Sequence, residues 1–162
     1  MAVWTTTPRT WASGETLTAA NMNAQLRDFA SGFGAWGSYT PTLSQGVSTN
    51  IAKTVTYSKY LQIQKTVTWT VRLDITAAGT AASGITVTLP VTGAYGGGLV
   101  AGSGMYVDTS VAWYKAVAFI NSTTTLVLLP PNITGITPIG TDPNIAVATG
   151  DVFLATVTYE AA

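Results

Sequence analysis

The chain has 162 residues, of which 47% are hydrophobic and only 9% are charged, with seven Lys or Arg, seven Asp or Glu, and neither His nor Cys. This length suits one domain with a short appendage. Ordinary soluble domains are roughly 25% charged, so the low charge favours burial of surface between subunits. The chain is neutral overall and its basic residues are scattered. Both facts argue against nucleic-acid and anionic-membrane partners, which require a basic stripe.

Signals for export and membrane insertion are absent from the sequence. No basic start is followed by an apolar run, as in a secretory signal peptide, and the apolar stretches are far shorter than the ~20 residues that span a bilayer. We therefore expect a soluble protein that is not exported by the classical route. The absence of Cys rules out disulfides and thiolate metal sites.

The first 35 residues are predicted to form an extended arm followed by one short helix. The arm, "AVWTTTPRTW", has no periodicity and is typical of a segment that orders on contact. Thr18 is a suitable N-cap, and Leu17 and Met22 have the spacing of a hydrophobic staple. A helix of about a dozen residues is marginal alone, so its apolar stripe must dock on its own β domain, on other subunits or on a host structure. The residues predicted to make this attachment are Trp4, Trp11, Leu17, Met22, Leu26, Phe29 and Phe33.

From residue 36 onward the sequence alternates with the period of β-strands. Five apolar residues alternate with five polar ones in Thr66–Ile75, and only Gln64 and Lys65 separate this segment from Lys53–Ile63, which predicts a hairpin. Further strands are predicted at 84–90, 99–107, 110–120, 124–129 and 151–159, with 130–150 as the longest irregular connection. Short strands with turns between them and no second helix indicate an all-β domain, an antiparallel β-sandwich or jelly roll, in residues 36–162.

The search for catalytic chemistry returns little. Ser-His and Cys-His couples require residues that the chain lacks, and metal ligation by carboxylates alone is uncommon for zinc. The glycine-rich stretch "GGGLVAGSG" lacks the Lys-Ser/Thr of a phosphate-binding loop and predicts a flexible hairpin loop instead. We therefore predict no catalytic, cofactor-binding or metal-binding residues and no cofactor. A glycosidase-like carboxylate pair assembled in space stays open, with Asp108 and Asp142 as its first candidates because they flank loops.

The tryptophans divide into core and surface candidates. Trp69 lies on the apolar face of the strongest strand and is predicted to be a core residue. Trp113 and Tyr114 point to opposite faces of one strand, so one of them is predicted to face outward or to lie at an interface. Trp36, beside the arm and helix, is expected to contribute to docking rather than to ligand binding.

The N-terminal segment "TPRTWASGETLTAANMNAQLRDF" resembles the opening of many small virion proteins of tailed bacteriophages, especially those that infect actinobacteria. The matching residues are Pro8, Arg9, Thr10, Trp11, Gly14, Glu15, Leu17, Thr18, Ala19, Ala20, Asn23, Arg27 and Asp28. The resemblance continues in "WGSYTPTL", "KTVTWTVRLDI", "VTLPV" and the terminal "GDVFLATVTYEAA".

This resemblance implies a structural role rather than an enzymatic one. Such proteins are minor tail proteins, short tail fibres or capsid decorations, usually homotrimers, in which residues 1–35 would anchor the chain to other virion proteins and residues 36–162 would be displayed. Three alternatives stay open: a trimeric capsid decoration or head fibre that stabilises the shell, a module that binds host cell-wall glycans, and a hydrolase that acts on the host cell wall. The expected location is the virion, assembled in the bacterial cytoplasm, with loops 93–104 and 130–144 as candidates for host contact.

Overall fold

The computed structural model describes residues 13–14, 16, 18–20, 36–131 and 137–162. Every strand predicted from the period-two pattern is present in it. The strands are β1 (Gly37–Ser38), β2 (Leu43–Gln45), β3 (Lys53–Ile63), β4 (Thr66–Ile75), β5 (Ile85–Thr88), β6 (Leu99–Asp108), β7 (Ala112–Ser122), β8 (Thr125–Leu129) and β9 (Val152–Glu160). The predicted bounds of β3 and β4 are confirmed, and so is the hairpin that joins them. Neither β1 nor β2 was predicted.

Little helix is found in the part of the chain that the structure describes. Ala19 and Ala20 are helical and directly follow Thr18, and the rest of the predicted helix lies outside the described residues. None of the described helical residues belongs to a helix long and apolar enough to cross a membrane. The described residues thus form an all-β fold.

All nine strands form a single antiparallel sheet in the order β1-β3-β4-β9-β6-β7-β8-β5-β2. If the sheet were flat, its two edge strands would lie about 38 Å apart, because neighbouring strands are about 4.8 Å apart. Yet β1 and β2 are joined by residues 39–42 alone, and the chain from Ser38 to Leu43 can span only about 17 Å. The sheet must therefore curl until its edges approach each other.

Three hydrogen bonds hold the curled sheet near its closure. The Ile51 amide donates to the Leu43 carbonyl at 2.8 Å, which links the start of β3 to the opposite edge of the sheet. The Tyr39 hydroxyl lies 2.8 Å from the Thr88 hydroxyl of β5, while the Tyr39 amide donates to the Ser58 carbonyl of β3. The segment that follows β1 therefore bonds both edges.

The hydrophobic core lies on the concave side of the sheet. The apolar face of β4 is at most 1% exposed, and the predicted core residue Trp69 is fully buried. Its indole Nε1 donates to the Ser58 hydroxyl at 3.1 Å, so its polar atom is satisfied inside the core. The Tyr39 ring meets the Trp69 ring edge-on at 6.0 Å between centroids. Every residue of β4 from Thr66 to Asp74 pairs with β9, which is an interior strand of the sheet between β4 and β6.

The glycine-rich stretch at 96–104 is mostly strand, which corrects the prediction of a flexible hairpin loop there. Residues 93–98 connect β5 to β6, but Leu99 to Gly104 belong to β6. A Cβ atom at Gly102 would lie 2.0 Å from the Thr156 carbonyl oxygen, and one at Gly104 would lie 2.6 Å from the Leu154 carbonyl oxygen. Glycine is therefore required here because the backbones of β6 and β9 approach too closely for any side chain.

The loop after β8 also departs from its prediction as an exposed surface. Ile139 is 1% exposed, donates its amide to the Leu128 carbonyl and accepts the Ile85 amide. Ile145 and Val147 are buried as well. This loop completes one end of the core, so replacing it would damage the fold.

Candidate interaction surface

The seven residues predicted to attach the N-terminal segment all lie outside the described residues. They are Trp4, Trp11, Leu17, Met22, Leu26, Phe29 and Phe33. Their role stays a prediction. The described chain resumes at Trp36, whose side chain is 48% exposed.

The two carboxylates considered for hydrolysis have different surroundings. Asp108 is 8% exposed, and its Oδ1 accepts the amide and the hydroxyl of Ser110, so it stabilises the turn between β6 and β7. Asp142 is exposed and precedes Pro143 across a cis peptide bond. Among the residues that the structure describes, no group of three or more His, Cys, Asp or Glu side chains could hold a metal ion.

A third carboxylate, Asp151, is buried and organises one end of the sheet. It is 1% exposed, and its Oδ2 accepts the Tyr106 hydroxyl at 2.6 Å and the Ala148 amide at 2.8 Å. Its Oδ1 accepts the amide and hydroxyl of Thr109. Burial, and then the bond to Asp151, raise the pKa of the Tyr106 hydroxyl well above its usual value. With its acceptor sites occupied by donors from the same chain, Asp151 has a structural role.

Gln45 makes a comparable buried connection at the end of β2. Its side chain is fully buried, and its Nε2 donates to the carbonyls of Ser83 at 3.0 Å and Ile145 at 2.6 Å. Its Oε1 accepts the Val147 amide at 2.9 Å. Two segments far apart in sequence, around Ser83 and around Ile145 and Val147, are thereby fixed to one edge strand.

The convex face of the sheet carries two adjacent rows of large side chains. The strand registers place Tyr57, Arg72, Leu154, Met105 and Lys115 side by side across β3, β4, β9, β6 and β7. The next row holds Asp74, Val152, Val107 and Trp113. We call these nine residues the outer patch.

The outer patch exposes aromatic and apolar surface to solvent. Trp113 is 74% exposed and Tyr57 is 46% exposed, whereas Tyr114 packs against the core, which confirms that Trp113 and Tyr114 point to opposite faces. Large exposed apolar patches on soluble proteins mark interaction sites more often than chance. Trp, Tyr, Met and Arg, all present here, are also the residue types enriched in protein interfaces.

The charges within the outer patch largely cancel. Arg72 Nε donates to Asp74 Oδ1 at 3.1 Å, and the Thr56 hydroxyl donates to Asp74 Oδ2. The Thr56 bond and Arg72, against the opposing effect of partial burial, lower the pKa of the Asp74 carboxyl below its usual value. Lys115 is the remaining charge, so the patch presents a nearly neutral surface to a partner.

A strip of hydroxyl groups borders the outer patch on the same face. Thr68 and Thr158 face each other with their hydroxyl oxygens 3.2 Å apart, and Thr70 and Thr156 do the same at 3.2 Å. Ser103 follows Thr156 in register on β6. The convex face therefore has an apolar half and a hydroxyl half, and the hydroxyl half also carries Lys59 and Glu160, which have opposite charges.

The outer patch lies away from the junction with residues 1–35. Gly37 pairs with Tyr60, toward the end of the sheet that carries the turn at Gln64 and the C-terminal Ala161. We call this the proximal end. Residues 93–98 belong to a loop that was expected to lie far from residues 1–35. They lie at the proximal end instead, since Gly93 pairs with Ala161. The patch lies toward the opposite, distal end, beside the β6–β7 turn.

Sequence reasoning identified only part of this surface. Alternation marked Trp113 as a candidate for the outside, but Met105, Val152 and Leu154 carried no signal, because their proximity depends on which strands are neighbours. The chain matches no protein-family model, no curated protein and no solved structure.

Proposed function

We propose that this protein is a structural component of a phage virion, a fibre-like minor tail protein anchored by residues 1–35 and displaying residues 36–162. The observation that carries the proposal is the N-terminal segment, whose sequence resembles the opening of small virion proteins and directly precedes the β domain. Two structural features support it. The outer patch lies toward the end of the sheet opposite the junction with residues 1–35, and the buried carboxylate Asp151 is committed to holding the fold together.

We further propose that the displayed domain is a β-sandwich or jelly roll and that the protein is a homotrimer. A sheet that curls until its edges meet has two opposed halves packed around one core, as a sandwich does. The low charge of the chain and the exposed outer patch both favour association between copies. The protein acts by assembly, without a cofactor and without catalysis.

The proposal is tested by deleting residues 1–33 and following incorporation into phage particles. We expect the truncated chain to stay folded, because the described sheet begins at Gly37, and to be missing from purified particles. Particles that contain the truncated chain in normal amount would contradict the anchoring role. If the truncated chain unfolds, the predicted helix belongs to the core of its own domain.

Electron microscopy of particles labelled with an antibody to this chain tests its position. Label at the tail supports the minor tail protein, whereas label over the capsid assigns the chain to decoration of the shell. The absence of catalysis is tested by incubating the protein with host cell-wall material. Release of sugar or peptide that disappears in Asp108→Asn or Asp142→Asn would overturn it.

A further inference from the structure

The strongest unexplained feature of the described chain is the convex face of β3, β4, β9, β6 and β7. Its area is that of a typical interface. Five strands about 4.8 Å apart and about ten residues long at 3.3 Å per residue cover about 800 Å². A standard protein interface buries about 800 Å² on each partner. The face is therefore large enough to support a stable contact by itself.

The surroundings of Trp113 favour a protein over a sugar as the partner. Sugar sites combine an aromatic ring with polar groups that fix the orientation of the ligand. The in-register neighbours of Trp113 are Val107 and then Val152, which offer no side-chain hydrogen-bonding atoms. The row ends at Asp74, whose carboxylate is already bonded to Thr56 and Arg72, and Lys115 is the charged residue next to Trp113 on its own strand. A row of this kind suits an apolar protein surface instead.

The rest of the face favours a second copy of the same chain. A hydroxyl both donates and accepts hydrogen bonds, so the strip of Thr68, Thr70, Thr156 and Thr158 can pair with hydroxyl groups of a neighbouring copy, including the different surface that it would meet in a homotrimer. The face carries Lys59, Arg72 and Lys115 against Asp74 and Glu160, and Arg72 is paired with Asp74, so its charges nearly balance and copies can meet without strong repulsion. The chain as a whole has net charge zero, which is compatible with close packing of its own copies.

We propose that the convex face, with Trp113 as its principal apolar contact, is the surface through which copies of this protein associate, turned toward the symmetry axis of the oligomer. The proposal rests on the self-association included in the proposed function, but not on placement in a virion. It assigns the contact between copies to the convex face of β3, β4, β9, β6 and β7 rather than to residues 1–35.

Sedimentation equilibrium of the full chain tests the association. In the variant Trp113→Ala with Leu154→Glu, we expect the dissociation constant of the oligomer to rise by about tenfold or more, as for loss of an interface hot spot. The matched control replaces two exposed residues off this face, Tyr95→Ala with Val47→Glu, which are 65% and 87% exposed. We expect the control to stay within about twofold of the wild type, as for neutral surface changes.

Cross-linking provides a second measurement that does not weaken the interface. The natural chain has no Cys, so Ser103→Cys introduces one thiol per chain on the convex face. A short bismaleimide should join copies of Ser103→Cys, while Ala78→Cys, exposed in the β4–β5 connection, should remain uncoupled.

Three results would overturn the proposal. The first is a wild-type chain that is monomeric at micromolar concentration. The second is an outer-patch variant that associates like the control, together with no cross-link at residue 103. The third is a monomer whose Trp113 fluorescence responds to soluble cell-wall glycan, which would assign the patch to carbohydrate. A monomer that still enters particles would overturn this inference and the proposed homotrimer but not the role in the virion, whereas an oligomer absent from particles would overturn only the role in the virion.

Discussion

Replacing Gln45 with Leu should destabilise the protein more than any exposed substitution, because this buried side chain joins three distant segments. The change keeps a similar volume but removes both polar ends of the amide. The Val147 amide then loses its acceptor, and the carbonyls of Ser83 and Ile145 lose a donor.

The size of the effect follows from the number of groups left without partners. Each buried donor or acceptor left unsatisfied costs about 1–3 kcal/mol. The Ser83 carbonyl is only partly buried in its bond to Gln45, so it contributes at the low end. We expect the free energy of unfolding to fall by about 3–5 kcal/mol, a large share of the roughly 5–15 kcal/mol of a typical domain.

Urea unfolding followed by tryptophan fluorescence measures this change. The control is Gln62→Leu on β3, whose half-buried side chain makes one solvent-exposed hydrogen bond, to the Gln64 carbonyl, and should change stability by less than about 0.5 kcal/mol. If Gln45→Leu lies within about 1 kcal/mol of the wild type, the reasoning about unsatisfied groups is refuted.

The variant Gln45→Glu adds a pH test of the same site. Burial and the two facing carbonyl oxygens should raise the pKa of the introduced carboxyl above its unfolded value of about 4.3. Its stability should therefore increase as pH falls through the folded pKa and be greatest below the unfolded one. A flat pH dependence relative to the wild type would contradict this.

Three further predictions concern the core. Gly102→Ala should prevent normal pairing of β6 with β9 and lower the thermal midpoint by many degrees, whereas Gly93→Ala, where a Cβ atom would meet nothing closer than 3.6 Å, should leave it nearly unchanged. Trp69→Phe should cost about 2–3 kcal/mol in urea unfolding, because it leaves the Ser58 hydroxyl buried without its donor; the double variant with Ser58→Ala should recover part of that loss. Because the pKa of the Tyr106 hydroxyl is raised in the folded protein, this group stabilises the fold at pH values below its unfolded pKa of about 10. That stabilisation is lost as the pH rises above this value. The free energy of unfolding of Tyr106→Phe should therefore depend less on pH than that of the wild type between about pH 9 and 11.

Strand prediction succeeded where burial is one-sided and failed where strands are short. In Thr66–Ile75 the alternation runs over ten residues, long enough for one face to be recognised as apolar, and the adjoining Lys53–Ile63 was predicted as its hairpin partner. Gly37–Ser38 and Leu43–Gln45 have two and three residues, too few to show a period. The loop at 130–150 contains core residues such as Ile139, which no local pattern distinguishes from surface ones.

The buried polar residues could not have been identified from sequence either. Gln45 stands alone between Ser44 and Gly46, and its partners are 38, 100 and 102 residues away. Asp151 is likewise an isolated carboxylate whose partner Tyr106 is 45 residues distant. Such roles exist only once the chain has folded.

The sequence by itself determined that residues after 36 form strands, because alternation and side-chain type act within a few residues and decide which face is apolar. The tertiary structure alone decided that β4 and β9 are neighbours, that the edges of the sheet meet through residues 39–42, and that Trp113 stands beside Val107 and Val152. These features depend on backbone hydrogen bonds between residues far apart in the chain. A local pattern holds no information about such pairs, so the outer patch became visible only when the strand order was known.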